Sequence, residues 1–182
     1  MLQFIFFSLL LWSSSLSYAD DNQSVQLSLP EQSMQLQAKV EYPLARQALQ
    51  QLFDRTLNVA LAELDIEGSL FPFAALLNQK RGIELMRWPA NQTKPGESEM
   101  LGALQYHLKQ SGKDSDTVAT AYVRNFRVEN AGRQQQGILV ALDHRDYSVA
   151  VFIPYMRNTD GSLELLEPLF EPGINRTFLI TN

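Results

Sequence analysis

Cysteine is absent from this 182-residue chain, and histidine occurs only twice, at His107 and His144. The first absence excludes disulfide staples, thiol nucleophiles and cysteine metal sites. With two histidines, a zinc centre would need both of them together with carboxylates, and their spacing does not suggest that, so no metal and no cofactor is expected. Basic residues are also in deficit. Fifteen Lys and Arg stand against 20 Asp and Glu, the net charge is −5, and the two signs are interspersed without a basic stripe. That balance argues against nucleic acid and against an anionic membrane surface as partner. Also missing are the His-Glu-x-x-His, Gly-x-Ser-x-Gly, phosphate-loop and dinucleotide-binding glycine patterns, and serines such as Ser148 have no identifiable base.

What is present begins with an apolar stretch. Residues 1–19 carry no charged side chain, run through apolar residues 2–12 into a small polar stretch, and end in Ser17-Tyr18-Ala19 ahead of Asp20-Asp21. Small residues at both recognition positions fit a peptidase site, so 1–19 is expected to be a signal peptide. The apolar run is far shorter than the roughly 20 residues of a spanning helix, so no stable membrane insertion is expected after cleavage. An uncleaved anchor is the competing reading, because no Lys or Arg precedes the run. Export without cysteine points to a bacterial periplasmic or extracellular protein. Residues 20–42 form a glutamine-rich leader. Val25, Leu27 and Leu29, then Met34, Leu36, Ala38 and Val40, alternate around Pro30, which fits either a short hairpin or a disordered lead-in.

Residues 43–182 read as one α+β domain. Leu49, Leu52, Phe53, Leu57, Ala60 and Leu64 recur at helical spacing between Pro43 and Gly68, residues suited to a first helical position and to a position past the end. A proline-containing apolar run at 70–77, a turn at 78–82 and a return at 83–88 predict a hairpin. After the loop at 89–96, Met100 or Leu101, with Leu104 and Leu108, predicts a second helix over 97–110, stopping at Ser111-Gly112. Strands follow at 117–128, 137–144, 147–155 and 163–166, with 129–136 and 145–146 as turns. The order α-β-β-α-β-β-β(-β), with short links, implies a mostly antiparallel sheet with both helices packed on it, profilin-like or roadblock-like by analogy.

Four spaced phrases carry a resemblance: Phe71-Pro72-Phe73-Ala74, Leu142-Asp143-His144-Arg145, Ile153-Pro154-Tyr155, and Glu171-Pro172-Gly173 with Phe178. In that order they resemble a family of small bacterial proteins without a known activity, over roughly residues 44–178. The resemblance implies a single α+β domain and brings no catalytic residue with it.

Asp143-His144-Arg145-Asp146 is the densest polar cluster, and an imidazole beside carboxylates could act as a general base. A tight link between two apolar strands needs polar residues in any case, and successive strand residues point to opposite faces, so Asp143 and His144 are not expected to converge. Tyr122, Arg124, Phe126 and Val128 share one strand face, where aromatics mixed with arginine line either a binding surface or simply the core. Tyr155 and Arg157 follow Pro154, at what reads as a strand end. His107 borders the second helix's apolar stripe, and Asn175-Arg176-Thr177 matches a glycosylation triplet that carries little meaning in a bacterial protein.

The binding candidates are therefore Asp143, His144, Arg124 and Tyr155, with no catalytic set assigned. The leading expectation is a non-enzymatic binding or accessory domain of the bacterial envelope, with a protein or small ligand as partner. The alternative is an enzyme on an envelope substrate using His144 and nearby carboxylates. Cleavage after Ala19 is the first testable consequence: intact-mass measurement of the exported protein should find Asp20 at the N-terminus, and a membrane-bound form retaining Met1 would contradict it.

Overall fold

The computed structural model describes residues 43–89, 93, 95–130, 133–174 and 176–178. The expected signal peptide and the 20–42 leader lie outside the described residues.

Helix α1 spans Pro43–Glu67 and buries Leu49, Leu52, Phe53, Leu57, Ala60 and Leu64 along one side. Thr56 is buried on the same side, and its hydroxyl donates back to the Leu52 carbonyl at 2.8 Å, so the polar atom is satisfied within the helix. Gly68 ends the helix at φ +68°, a left-handed conformation open to glycine, and its N–H donates to the Leu64 carbonyl at 3.1 Å. The last turn contains no basic residue. Arg157, distant in sequence, supplies one by donating to the Leu64 carbonyl at 2.6 Å, where the negative end of the helix dipole favours a cation.

Strands β1 (Phe73–Asn78) and β2 (Gly82–Met86) form the anticipated hairpin. Asn78 organises its turn by accepting from the N–H groups of Lys80 and Arg81 at 2.9 and 3.2 Å. Helix α2 (Glu97–Ser111) follows, with Glu97 and Glu99 in its first turn and Met100, Leu104 and Leu108 buried. Then come β3 (Thr117–Asn130), β4 (Arg133–His144), β5 (Ser148–Arg157), β6 (Leu163–Leu165) and β7 (Leu169–Pro172).

The seven strands make one sheet in the order β2-β1-β3-β4-β5-β6, with β7 also on β5 and every pairing antiparallel. The α+β class and the order α-β-β-α-β-β-β-β through β6 are thus as read from the sequence, and β7 adds a fifth strand after α2. Alternation along the strands separates two faces. Phe73 and Ala75, Ala119, Ala121 and Val123, Ile138, Val140 and Leu142, and Val149, Val151 and Ile153 pack with α1 into the main core. On the reverse face, Ala74, Leu76 and Tyr122 pack with Leu104 and Leu108 of α2.

Three sequence expectations need correction. The turn expected over 129–136 is mostly strand, because β3 and β4 stay in register out to Asn130↔Arg133. The polar residues there extend a two-stranded arm, for which burial is not required. Pro154 does not end its strand either. The β4–β5 pairing stops at Gly137↔Pro154, and β5 continues to Arg157 by pairing Tyr155 with Leu165 of β6. Proline, lacking an N–H, sits where the strand changes partner. Strand β7 has no counterpart in the sequence pattern, since Leu169–Pro172 is short, contains proline and is exposed except at Phe170. Among the described residues no helix is long and apolar enough to cross a membrane.

Phe53 is fully buried beneath α1. Phe53→Ala should cost about 3–5 kcal/mol in a denaturant titration, and a loss below about 0.5 kcal/mol would contradict this packing.

Candidate functional site

Helix α2 covers the reverse face only over β1 and β3, and the last described segment covers the adjoining part of β3 and β4. After β7 the chain turns at Gly173, whose N–H donates to the Ser148 carbonyl at 3.0 Å. A Cβ there would lie 2.6 Å from the Val149 nitrogen, so glycine is what lets the chain pass this close. Gly112, at the end of α2, has the same role on the far side, where a Cβ would lie 2.6 Å from the Thr177 carbonyl oxygen. The described residues here, Ile174 and Arg176 to Phe178, lie as a strap across the sheet.

Asp143 fastens that strap. The residue is 8% exposed, and its Oδ2 accepts from the Arg176 N–H at 3.1 Å, the Thr177 N–H at 3.2 Å and the Thr177 hydroxyl at 2.9 Å. Thr120, opposite Asp143 in the β3–β4 register, donates its hydroxyl to Thr177 Oγ1 at 2.9 Å. Arg145 braces the outside by donating to the carbonyls of Asp114 at 3.1 Å and Gly112 at 3.4 Å, while its guanidinium lies 5.0 Å from the centre of the Phe178 ring.

Between strap, sheet and α2 lies a cavity of about 40 Å³, lined by Gln105 and Leu108 of α2, Thr120, Tyr122, Ala141 and Asp143 of the sheet, and Ile174, Arg176 and Thr177 of the strap. Tyr122 is 8% exposed, and its hydroxyl is buried without a hydrogen-bond partner. Burial pushes this phenol up to about 12, with Arg124 and Arg176 pulling it down and Glu97 pushing it up. It is therefore a neutral group at ordinary pH, with one proton to donate and lone pairs to accept. Leaving such a group unmatched costs on the order of 1–3 kcal/mol. Asp143 and Tyr122 are diagonal neighbours on the same face, since Tyr122 pairs with Ala141, two residues before Asp143.

The four sequence candidates separate by strand parity. Asp143 lines the cavity, and Arg124 shares its sheet face two residues beyond Tyr122, with its guanidinium 4.5 Å from the Phe126 ring centre. His144 follows Asp143 but takes the other direction. Its N–H donates to the Tyr147 carbonyl at 2.8 Å, its Nδ1 accepts from the Asp146 N–H at 3.2 Å, and Nδ1 lies 3.4 Å from an Asp146 carboxylate oxygen. The carboxylate beside the imidazole is thus that of Asp146, within the turn. Tyr155 belongs to the main core, with its hydroxyl accepting from Gln136 Nε2 at 2.6 Å. Burial pushes its phenol up, and the bond from Gln136 pulls it down. Among the described residues no group of three His, Asp or Glu side chains is placed to hold a metal ion.

Sequence reasoning places Tyr122 with Arg124 on a strand face that is either a binding surface or core, and it does not select Thr120, Arg176 or Thr177 as a site. Tyr122 and Thr120 are reachable by extending the alternation from Arg124. Arg176 and Thr177 have no signal, because their position on the sheet depends on where β7 and Gly173 send the chain.

No family model, no curated protein and no solved structure matches the chain. The resemblance of the four phrases therefore rests on those phrases alone, and the profilin-like or roadblock-like analogy rests on element order.

Burial holds the His144 imidazole below its ordinary value of 6.5, against a smaller upward pull from Asp146. The unfolded chain then binds this proton more readily than the folded one. The contribution is complete above about pH 6.5 and is lost as pH falls through that value toward the folded one. Denaturation midpoints should decline on acidification from pH 7 to 5, and the decline should be shallower in His144→Gln. An identical pH profile in the two proteins would contradict the assignment.

Proposed function

We propose that this domain is a non-enzymatic binding module of the bacterial envelope, and that it holds a small ligand in the cavity under the strap. The observation that carries the reading is the Tyr122 hydroxyl, buried and without a partner, on a residue that lines a mostly apolar cavity together with a carboxylate, that of Asp143. Buried polar groups are almost always matched, and unmatched ones at a cavity wall are a signature of a missing partner. Around it stand an amide at Gln105, hydroxyls at Thr120 and Thr177, and apolar contacts from Leu108 and Ala141. A few convergent polar groups on an apolar wall are the usual make-up of a small-molecule site. Placement in the envelope is supported by the uncharged apolar start and the Ser17-Tyr18-Ala19 site.

Native mass spectrometry of protein recovered from the periplasm tests this reading. A small-molecule adduct released unchanged on denaturation, and lost in the cavity-filling Ala141→Leu variant, is the expected result. If wild type and Ala141→Leu both carry no adduct, the binding reading fails. A molecule that is chemically converted on incubation, in a manner abolished by His144→Ala, would replace it with the alternative enzyme.

A further inference from the structure

The cavity has a charge sign as well as a shape, and assigning a ligand class to it rests on the binding reading of this site. All three hydrogen bonds to the Asp143 carboxylate arrive at Oδ2, and among the described residues none reaches Oδ1. Nor does any Lys or Arg there form an ion pair with Asp143. Oδ1 is not among the buried atoms left without a partner, so solvent reaches it, and an open carboxylate oxygen at a cavity wall accepts most strongly from a cationic donor. Beside it the Tyr122 hydroxyl adds a second acceptor that is itself unmatched. The carboxylate therefore calls for a donor carrying positive charge, and the phenol oxygen can accept from the same group.

The outer wall has the opposite character. Arg176 lines the cavity from the strap with an exposed side chain, and its charge is felt at Tyr122. Its side chain makes no hydrogen bond or ion pair among the described residues, although its backbone N–H is bound to Asp143. Gln105 adds an amide on the α2 side. Acceptors inside and a guanidinium outside form a dipolar site. A cavity of about 40 Å³ has room for only a few water-sized groups, so the inner part admits an ammonium and little more.

We propose that the cavity binds a small zwitterionic α-amino acid, of the size of glycine or alanine, with its ammonium on Asp143 Oδ1 and the Tyr122 hydroxyl and its carboxylate toward Arg176. No bond is made or broken. The ligand supplies the cation that Asp143 lacks, and it gives the Tyr122 oxygen a donor.

Amide chemical-shift titrations with glycine, methylammonium and acetate test the assignment. Glycine should shift the amides of Thr120, Asp143 and Thr177 to saturation, methylammonium should act on the same amides more weakly, and acetate should leave them in place. Tyr122→Phe removes no hydrogen bond within the protein and should fold normally while weakening glycine about 5- to 10-fold. Arg176→Ala keeps the backbone anchor and should lower glycine affinity about tenfold, to the level of methylammonium. Acetate shifting these amides while both amines leave them unmoved would overturn the amino-acid assignment with the binding reading intact. If none of the three probes moves them, and the adduct is absent as well, both readings fall and the cavity holds only water. Glycine saturation unchanged in Tyr122→Phe and Arg176→Ala would also overturn the proposal, by placing the ligand elsewhere.

Discussion

One carboxylate oxygen decides how the reverse face of this sheet is finished. Asp143 Oδ2 gathers two backbone N–H groups and a hydroxyl from the strap, and the donors come from residues 33 and 34 positions later in the chain. Without it the strap would present free N–H groups to a half-apolar surface, and the cavity would lose a wall. The two glycines that bring the chain close, Gly112 and Gly173, serve the same approach. Because one oxygen serves the strap, the other remains without a hydrogen bond among the described residues.

The main core makes this arrangement possible by being separate from it. Helix α1 and the other face of the sheet bury the larger side chains, including Phe53, Phe73, Leu142 and Ile153. Arg157 ties the end of α1 to β5, and Arg87 reaches Glu63 of the same helix at 2.9 Å. With the core secured on one face, the reverse face can carry polar groups at Thr120 and Asp143 and an unmatched hydroxyl at Tyr122. An unpaired group costs on the order of 1–3 kcal/mol, which the burial on the other face can offset in a domain of this size.

Asp143 and His144 show how strand geometry sorts a sequence cluster. Adjacent in the chain, they face opposite sides of the sheet, so the apparent Asp-His pair becomes a strap anchor and a turn residue with Asp146 as its neighbour. The arrangement that faces the cavity is assembled instead across strands, from Thr120, Tyr122 and Asp143, and is completed by the C-terminal segment.

Much of the fold is legible in the sequence because it is local. Helical spacing from Leu49 to Leu64 with Pro43 and Gly68 at its ends marks α1, and Asn78 with Gly82 marks the first hairpin, since capping, φ and periodicity are properties of neighbouring residues. Alternation alone also separates Asp143 from His144. Tertiary structure decided the rest. The β3–β4 arm through Glu129 and Asn130 exists because register propagates along a paired strand whatever its polarity. Pro154 sits inside a strand because β5 changes partner there, which depends on where β6 falls. Thr177 meets Asp143 only after β7 and Gly173 have turned the chain back across the sheet, a long-range closure that composition and periodicity do not encode.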